Sequence, residues 1–391
     1  MDAPPTDASP LDSIRDQLAA AGPLAAADRL CERLKADGDW HSYFYARLLR
    51  KRVELGVSPF PSGPSSELPP STHEPYEAAI RDAAREVGHA LLAQNDFPRA
   101  WGYFRLIGEP GPVRDALDKY EPGPDDDTYP IVDIAWHQQV HPKRGFDIYL
   151  SRHGICSTIT MVGSTDLSAH PDLRNHCYGQ LVRTLYEQLA ERLRNDLEHR
   201  GLPVGDGVRA MLREELFGED AYHIDVSHLS SVVQMAIQLP PTERESLERA
   251  LELSEYGERL SPQFQGGGDC PFENSYADYS VYLRVLLGLE SENGLKHFED
   301  KIAGELAEGV TFPAEVFVNL LLKLDRKADA LAAARRYLEH ADERNLSCPG
   351  PMELARQVGD FAAVANAAKE KGDAVTFLAG LIAAGSSTSS S

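Results

Sequence analysis

The chain has 391 residues, 42% hydrophobic and 26% charged, a balance that suits folded globular domains and excludes wholesale disorder. With 61 acidic and 39 basic residues its formal charge is -22. The basic residues are scattered singly among acidic ones, so none are grouped to neutralise several phosphates together, and neither nucleic acid nor an anionic membrane surface is an expected partner.

Residues 1–10, rich in Pro, Asp and Ser, are expected to be disordered. Residues 11–55 read as N-terminal helical hairpins: Leu11, Ile14 and Leu18, then Leu24, Ala27, Leu30 and Leu34, fall largely at intervals of three and four, and Asp37-Gly38-Asp39 breaks the run before Trp40. Residues 56–75 hold six prolines and five serines, which predicts an extended connection, because proline fixes φ and removes a donor. A central helical domain is expected over residues 76–310. It opens with a helix from Ala78 to Leu92, a turn at Asn95-Asp96-Phe97-Pro98 and a second helix from Arg99 to Ile107. It continues with a long helix from Asp172 to His199 that repeats Leu173, Cys177, Leu181, Leu185, Leu189 and Leu193 every four residues. The amphipathic run from Val226 to Leu239 is stopped by Pro240-Pro241. Gly266-Gly267-Gly268-Asp269 lacks the spacing of a phosphate-binding loop. Strand-like alternation occurs only at residues 155–160, too little for a sheet. Hairpins resume over residues 311–384, with turns at Asp325-Arg326-Lys327, Gly359-Asp360 and Lys371-Gly372-Asp373. Residues 385–391 form a Ser/Thr tail expected to be disordered.

These segments predict an all-α fold, a right-handed superhelical array of antiparallel helix pairs with room for a central cavity. Ala100 with Tyr103-Phe104, and Ala328 with Leu331, Ala334 and Tyr337, alternate small and bulky groups at helical spacing. In this the segments from Arg99 to Tyr120 and from Asp325 to His340 resemble tetratricopeptide-type proteins, a resemblance that covers about a third of the chain, although no 34-residue period is visible. The resemblance implies helical stacking and a groove that receives a peptide or partner protein.

Five cysteines are far apart and form no CxxC pair, which offers neither a disulfide framework nor a thiolate zinc site. The N-terminus has no basic region followed by an apolar run, and no apolar stretch of about 18 residues occurs, so a cytoplasmic location is expected.

Three histidine-bearing patches are candidates for chemistry. In Asp133-Ile134-Ala135-Trp136-His137-Gln138-Gln139-Val140-His141, residues four apart on one helix would aim the imidazoles of His137 and His141 at a common point, as two ligands of one metal require. In His223-Ile224-Asp225-Val226-Ser227-His228, two imidazoles and a carboxylate lie where a helix begins, a mixture suited to zinc or iron. The third patch holds Arg152, His153 and Cys156, and further on His176, which shares a helical stripe with Gln180, Arg183 and Glu187. Tyr276, Asp278, Tyr279 and Tyr282 offer a fourth wall.

The expectation is one divalent metal, zinc or iron, held by His137, His141, His223, Asp225 and His228. Arg152 or Arg183 would hold a small polar or anionic substrate, with His153, His176 and Glu187 as reserve proton-transfer groups. Hydrolysis, isomerisation and iron-dependent oxidation all accept such ligands. The alternative is a tetratricopeptide-like interaction module without catalysis, in which each of these residues serves separately as helix surface, cap or core edge.

Overall fold

The structure, a computed structural model, describes residues 10–61 and 68–387. The segments expected to be disordered at the two ends, and the middle of the Pro/Ser-rich connection, lie largely outside the described residues. Among the described residues every regular element is helical, as expected, and residues 155–160 belong to a helix. No helix among them is long and apolar enough to cross a membrane. The chain divides into two compact units, the first ending at Gly154 and the second beginning at Ile155.

The first unit contains α1 (Pro10–Ala36), α2 (Trp40–Glu54), α3 (Pro70–Leu92), α4 (Phe97–Leu106) and α5 (Gly111–Lys119). After these come the single turn α6 (Tyr129–Val132) and the first half of α7 (Pro142–Gly163). Helix α3 begins within the stretch read as a connection, because Pro70 occupies the first helical turn, where a missing N–H costs nothing. Consecutive helices α1 to α5 pack on one another, and Tyr43, Phe44, Ala83, Ala84, Val87, Leu91 and Ala100 form a core shared by α2, α3 and α4.

The second unit contains α8 (Pro171–His199), α9 (Val208–Met211), α10 (Val226–Ala236), α11 (Arg244–Glu258), α12 (Pro262–Gln265), α13 (Ser275–Leu286) and α14 (Ser291–Asp300). It continues through α15 (Ile302–Ala307), α16 (Phe312–Lys323), α17 (Lys327–Tyr337), α18 (Pro351–Gln357), α19 (Phe361–Glu370) and α20 (Ala374–Ser387). The leucine stripe of α8 is buried from Leu173 to Leu197 and packs against α10 and α11. From α10 onward the main helices pack successively as antiparallel pairs, a solenoid-like arrangement. The approach of α11 to α13 requires Gly257, since a Cβ there would lie 2.4 Å from the ring of Tyr276.

Five hairpin turns share one construction. Gly38, Asn95, Asp325, Gly359 and Gly372 each adopt a left-handed backbone, with φ of 70°, 58°, 56°, 79° and 70°, two residues before a new helix. The next N–H then donates back across the turn to a helix carbonyl: Asp39 to Leu34 (3.0 Å), Asp96 to Leu91 (3.0 Å), Arg326 to Leu321 (2.9 Å), Asp360 to Ala355 (2.9 Å) and Asp373 to Ala368 (2.9 Å). This satisfies one of the carbonyls that a helix leaves orphaned at its end. In four of the five the donor is an aspartate whose side chain also caps the following helix, through the N–H groups of Ser42, Arg99, Ala363 and Thr376. One tripeptide therefore both ends a helix and starts its antiparallel partner.

Candidate functional site

The second unit contains an open cleft of about 690 Å³, within the size range of small-ligand sites. Helix α16 forms one wall. Phe312, Val316, Asn319 and Lys323 recur at intervals of four, three and four and therefore share one face, while Ala314, Phe317, Val318, Leu320 and Leu321 are buried. The end of α10 contributes Gln234, Ile237 and Gln238, and the first turn of α8 contributes Arg174. Phe272, Tyr279 and Tyr282 form an aromatic wall in which the rings of Phe272 and Tyr279 are stacked at 4.6 Å. Asp269 provides one carboxylate.

Ser347 lines the cleft because Glu315 anchors it. The buried Glu315 carboxylate accepts bonds from the Ser347 N–H (2.7 Å) and hydroxyl (2.6 Å), and from the hydroxyl of Thr311 (2.7 Å). Burial pushes its pKa up, but these bonds outweigh it and hold the carboxyl below its ordinary value.

Two cations face this cleft. Lys323 Nζ donates to the carbonyls of Ile237 (2.6 Å) and Leu239 (3.2 Å), just beyond the C-terminal end of α10. Those carbonyls favour an ammonium, whereas burial first and the charge of Arg174 second disfavour it, and the pKa falls to about 7. Arg174 has its Nε buried with no hydrogen-bond partner among the described residues. An unpartnered buried guanidinium donor is costly, and the fold carries that cost at the edge of the cleft.

The metal expectation is corrected. Among the described residues no group of three or more His, Cys, Asp or Glu side chains is placed to hold a metal ion. His137 and His141 belong to the first unit and His223, Asp225 and His228 to the second. His137 and His141 do not share a continuous helix either: a π-helical turn ends at His137, and Gln139 takes a left-handed backbone (φ 58°). His141 pairs with Asp118 (2.7 Å), and the Asp133 carboxylate accepts from Gln138 (2.7 Å) rather than from an imidazole. The two ring nitrogens of His223 are engaged by Asp196 and Tyr256, each at 3.2 Å. Asp225 caps α10 through the N–H groups of Ser227 (2.8 Å) and His228 (3.3 Å), as a residue before a helix would.

None of the residues expected to bind substrate or transfer protons lines the cleft. Arg152 donates to the Pro124 carbonyl, and His153 lies between the rings of Tyr129 and Tyr149, with centroids at 4.6 and 4.5 Å. On α8, His176 is half-buried, and Arg183 and Glu187 form an exposed pair at 3.8 Å. Of the aromatic wall read from the sequence, Tyr279 and Tyr282 do line the cleft. Tyr276 packs on Gly257, and the buried Asp278 binds His297 and Lys301, each at 2.8 Å. Sequence reasoning missed Arg174 and Lys323, although the stripe Phe312, Val316, Asn319, Lys323 was a usable signal, with its two polar members at helical spacing.

The chain matches no known protein family, no curated protein and no solved structure.

Proposed function

We propose that this chain is a non-catalytic, tetratricopeptide-like binding module whose second unit receives a segment of a partner protein bearing a carboxylate beside apolar side chains. The observation that supports this reading most is that Arg174 and Lys323 line the same open cleft. Arg174 is charged throughout and Lys323 partly so near neutral pH, so against one carboxylate, Asp269, the cleft is locally positive in a chain of charge -22. At physiological salt the screening length is about 8 Å, so the nearby cations outweigh the distant acidic surface. Gln234, Gln238 and Asn319 carry the donor and acceptor pairs that a peptide backbone needs, and Phe272, Tyr279 and Phe312 provide apolar contact.

Selection from a phage-displayed library of short random peptides tests it. The native chain should enrich sequences with a glutamate or aspartate next to Leu or Phe, and the Arg174→Gln variant should lose the acidic preference. Enrichment of basic or wholly apolar sequences would contradict the reading.

A further inference from the structure

We propose that Lys323 is a carbonyl-reactive amine, and that the cleft takes a small aldehyde or ketone carrying an anionic group, which Lys323 captures as an imine while Arg174 holds the anion. This goes beyond partner binding and does not depend on it, because it rests on the amine and its cavity alone.

The geometry carries the argument. Lys323 closes the last turn of α16 and is the one lysine on the cleft lining. A neutral amine has two hydrogens and one lone pair. The Ile237 and Leu239 carbonyls, at 2.6 and 3.2 Å, account for both hydrogens and leave the lone pair free. Burial and the neighbouring Arg174 charge keep a substantial amine fraction near neutral pH, the state that attacks a carbonyl. None of the nine other lysines lines this cleft. Lys301, also largely buried, is bound by Asp278 and Glu273 as an ammonium, and those carboxylates hold its pKa above the ordinary value despite its burial.

The step balances without an oxidant or reductant. The Nζ lone pair attacks the carbonyl carbon, forming the C–N bond as the C=O π pair moves to oxygen, which takes a proton. Nitrogen then releases a proton to solvent, the carbinolamine hydroxyl leaves as water when protonated, and the resulting iminium gives up a proton, so amine and carbonyl give imine and water. Arg174 contributes by holding the anionic group so that the carbonyl stays beside Nζ for the attack.

The test uses the full chain with pyridoxal 5′-phosphate as an aldehyde bearing an anion, and pyridoxal as the same aldehyde without it. Each is added at low stoichiometry at neutral pH, trapped with cyanoborohydride and mapped by peptide mass spectrometry. Site occupancy is read on the native chain, so the result does not depend on a variant folding. Lys323 should be labelled at least tenfold faster than any other lysine by the phosphate-bearing probe, and several-fold slower by pyridoxal. Arg174→Met should bring the phosphate probe down to the pyridoxal rate. Even labelling across the lysines, or faster labelling of any other lysine, would overturn the proposal. Equal labelling of Lys323 by both probes would overturn the role of Arg174. A chain that labels at Lys323 yet shows no acidic preference in peptide selection would refute the partner reading alone.

Discussion

The histidine patch of the first unit and the cationic cleft of the second are both groups of polar side chains beside helix ends, and they differ in whether their bonding capacity is used up. His141 is matched by Asp118, and the Asp133 carboxylate by Gln138. In the cleft, the Arg174 Nε has no partner and Lys323 balances between two protonation states. Residue types crowded together in sequence marked the first region, yet unspent bonding marks the second. Where a protein meets a ligand, it must leave polar groups unsatisfied until the ligand arrives, at a cost in stability of about 1–3 kcal/mol for a buried donor. His141 already has a partner and His137 is exposed to water, so neither imidazole carries such a cost.

Substitutions can break this comparison, and the largest expected effect is at Glu315. Glu315→Ala leaves the Ser347 N–H without its acceptor and should lower stability by about 1–3 kcal/mol, measured by urea unfolding. It should also weaken ligand binding, because Ser347 would no longer be anchored at the cleft. The folded carboxyl titrates below its ordinary value, so its contribution is fully present above the unfolded pKa and is lost as pH falls through the folded one. Wild type should therefore lose more stability on acidification than Glu315→Gln.

Lys323 has the opposite linkage. Its folded pKa of about 7 lies below the ordinary lysine value, so between these two the unfolded chain binds more protons and stability rises with pH. Lys323→Met should flatten that rise between about pH 7 and 10. A slope unchanged in the variant would show that the amine stays charged throughout.

Asp225→Ala should cost about 1 kcal/mol through loss of the α10 cap, with no change in metal content or ligand binding. The smallest effects belong to the first patch. The His141–Asp118 pair is largely a surface contact, so His137→Ala and His141→Ala should each change stability by less than about 0.5 kcal/mol and leave ligand binding unchanged. A larger loss from either would mean that the patch has a role the comparison denies it.

The helical architecture was legible because it is written locally. Leucines every four residues along α8 read directly as a buried stripe, and Asp-Gly-Asp, Asn-Asp and Gly-Asp marked hairpin turns that the structure shows to be one repeated device. Helix α3 was read as starting too late because prolines were taken only as breakers, although the first helical turn accepts them. The site was legible only in part. Tyr279 and Tyr282 were read as a wall, but the cations that give it character stand on α8 and α16, about 150 residues apart in sequence, and only tertiary packing brings them to one cleft. The His137 and His141 pairing failed for a local reason: four residues make one turn only on a continuous α-helix, and a π turn followed by a left-handed Gln139 breaks it.

The most direct test of the central claim, that the Arg174–Lys323 cleft is where this chain meets an anionic partner, is a fluorescence anisotropy titration at about 150 mM salt. The probe is a labelled peptide of alternating glutamate and leucine, compared with its glutamine counterpart. The glutamate peptide should bind at least tenfold tighter, and Arg174→Gln should remove that difference, which corresponds to about 1.4 kcal/mol or more for the lost charge-assisted bonds. Equal affinity for the two peptides, no binding of either, or a preference that survives Arg174→Gln would contradict the account.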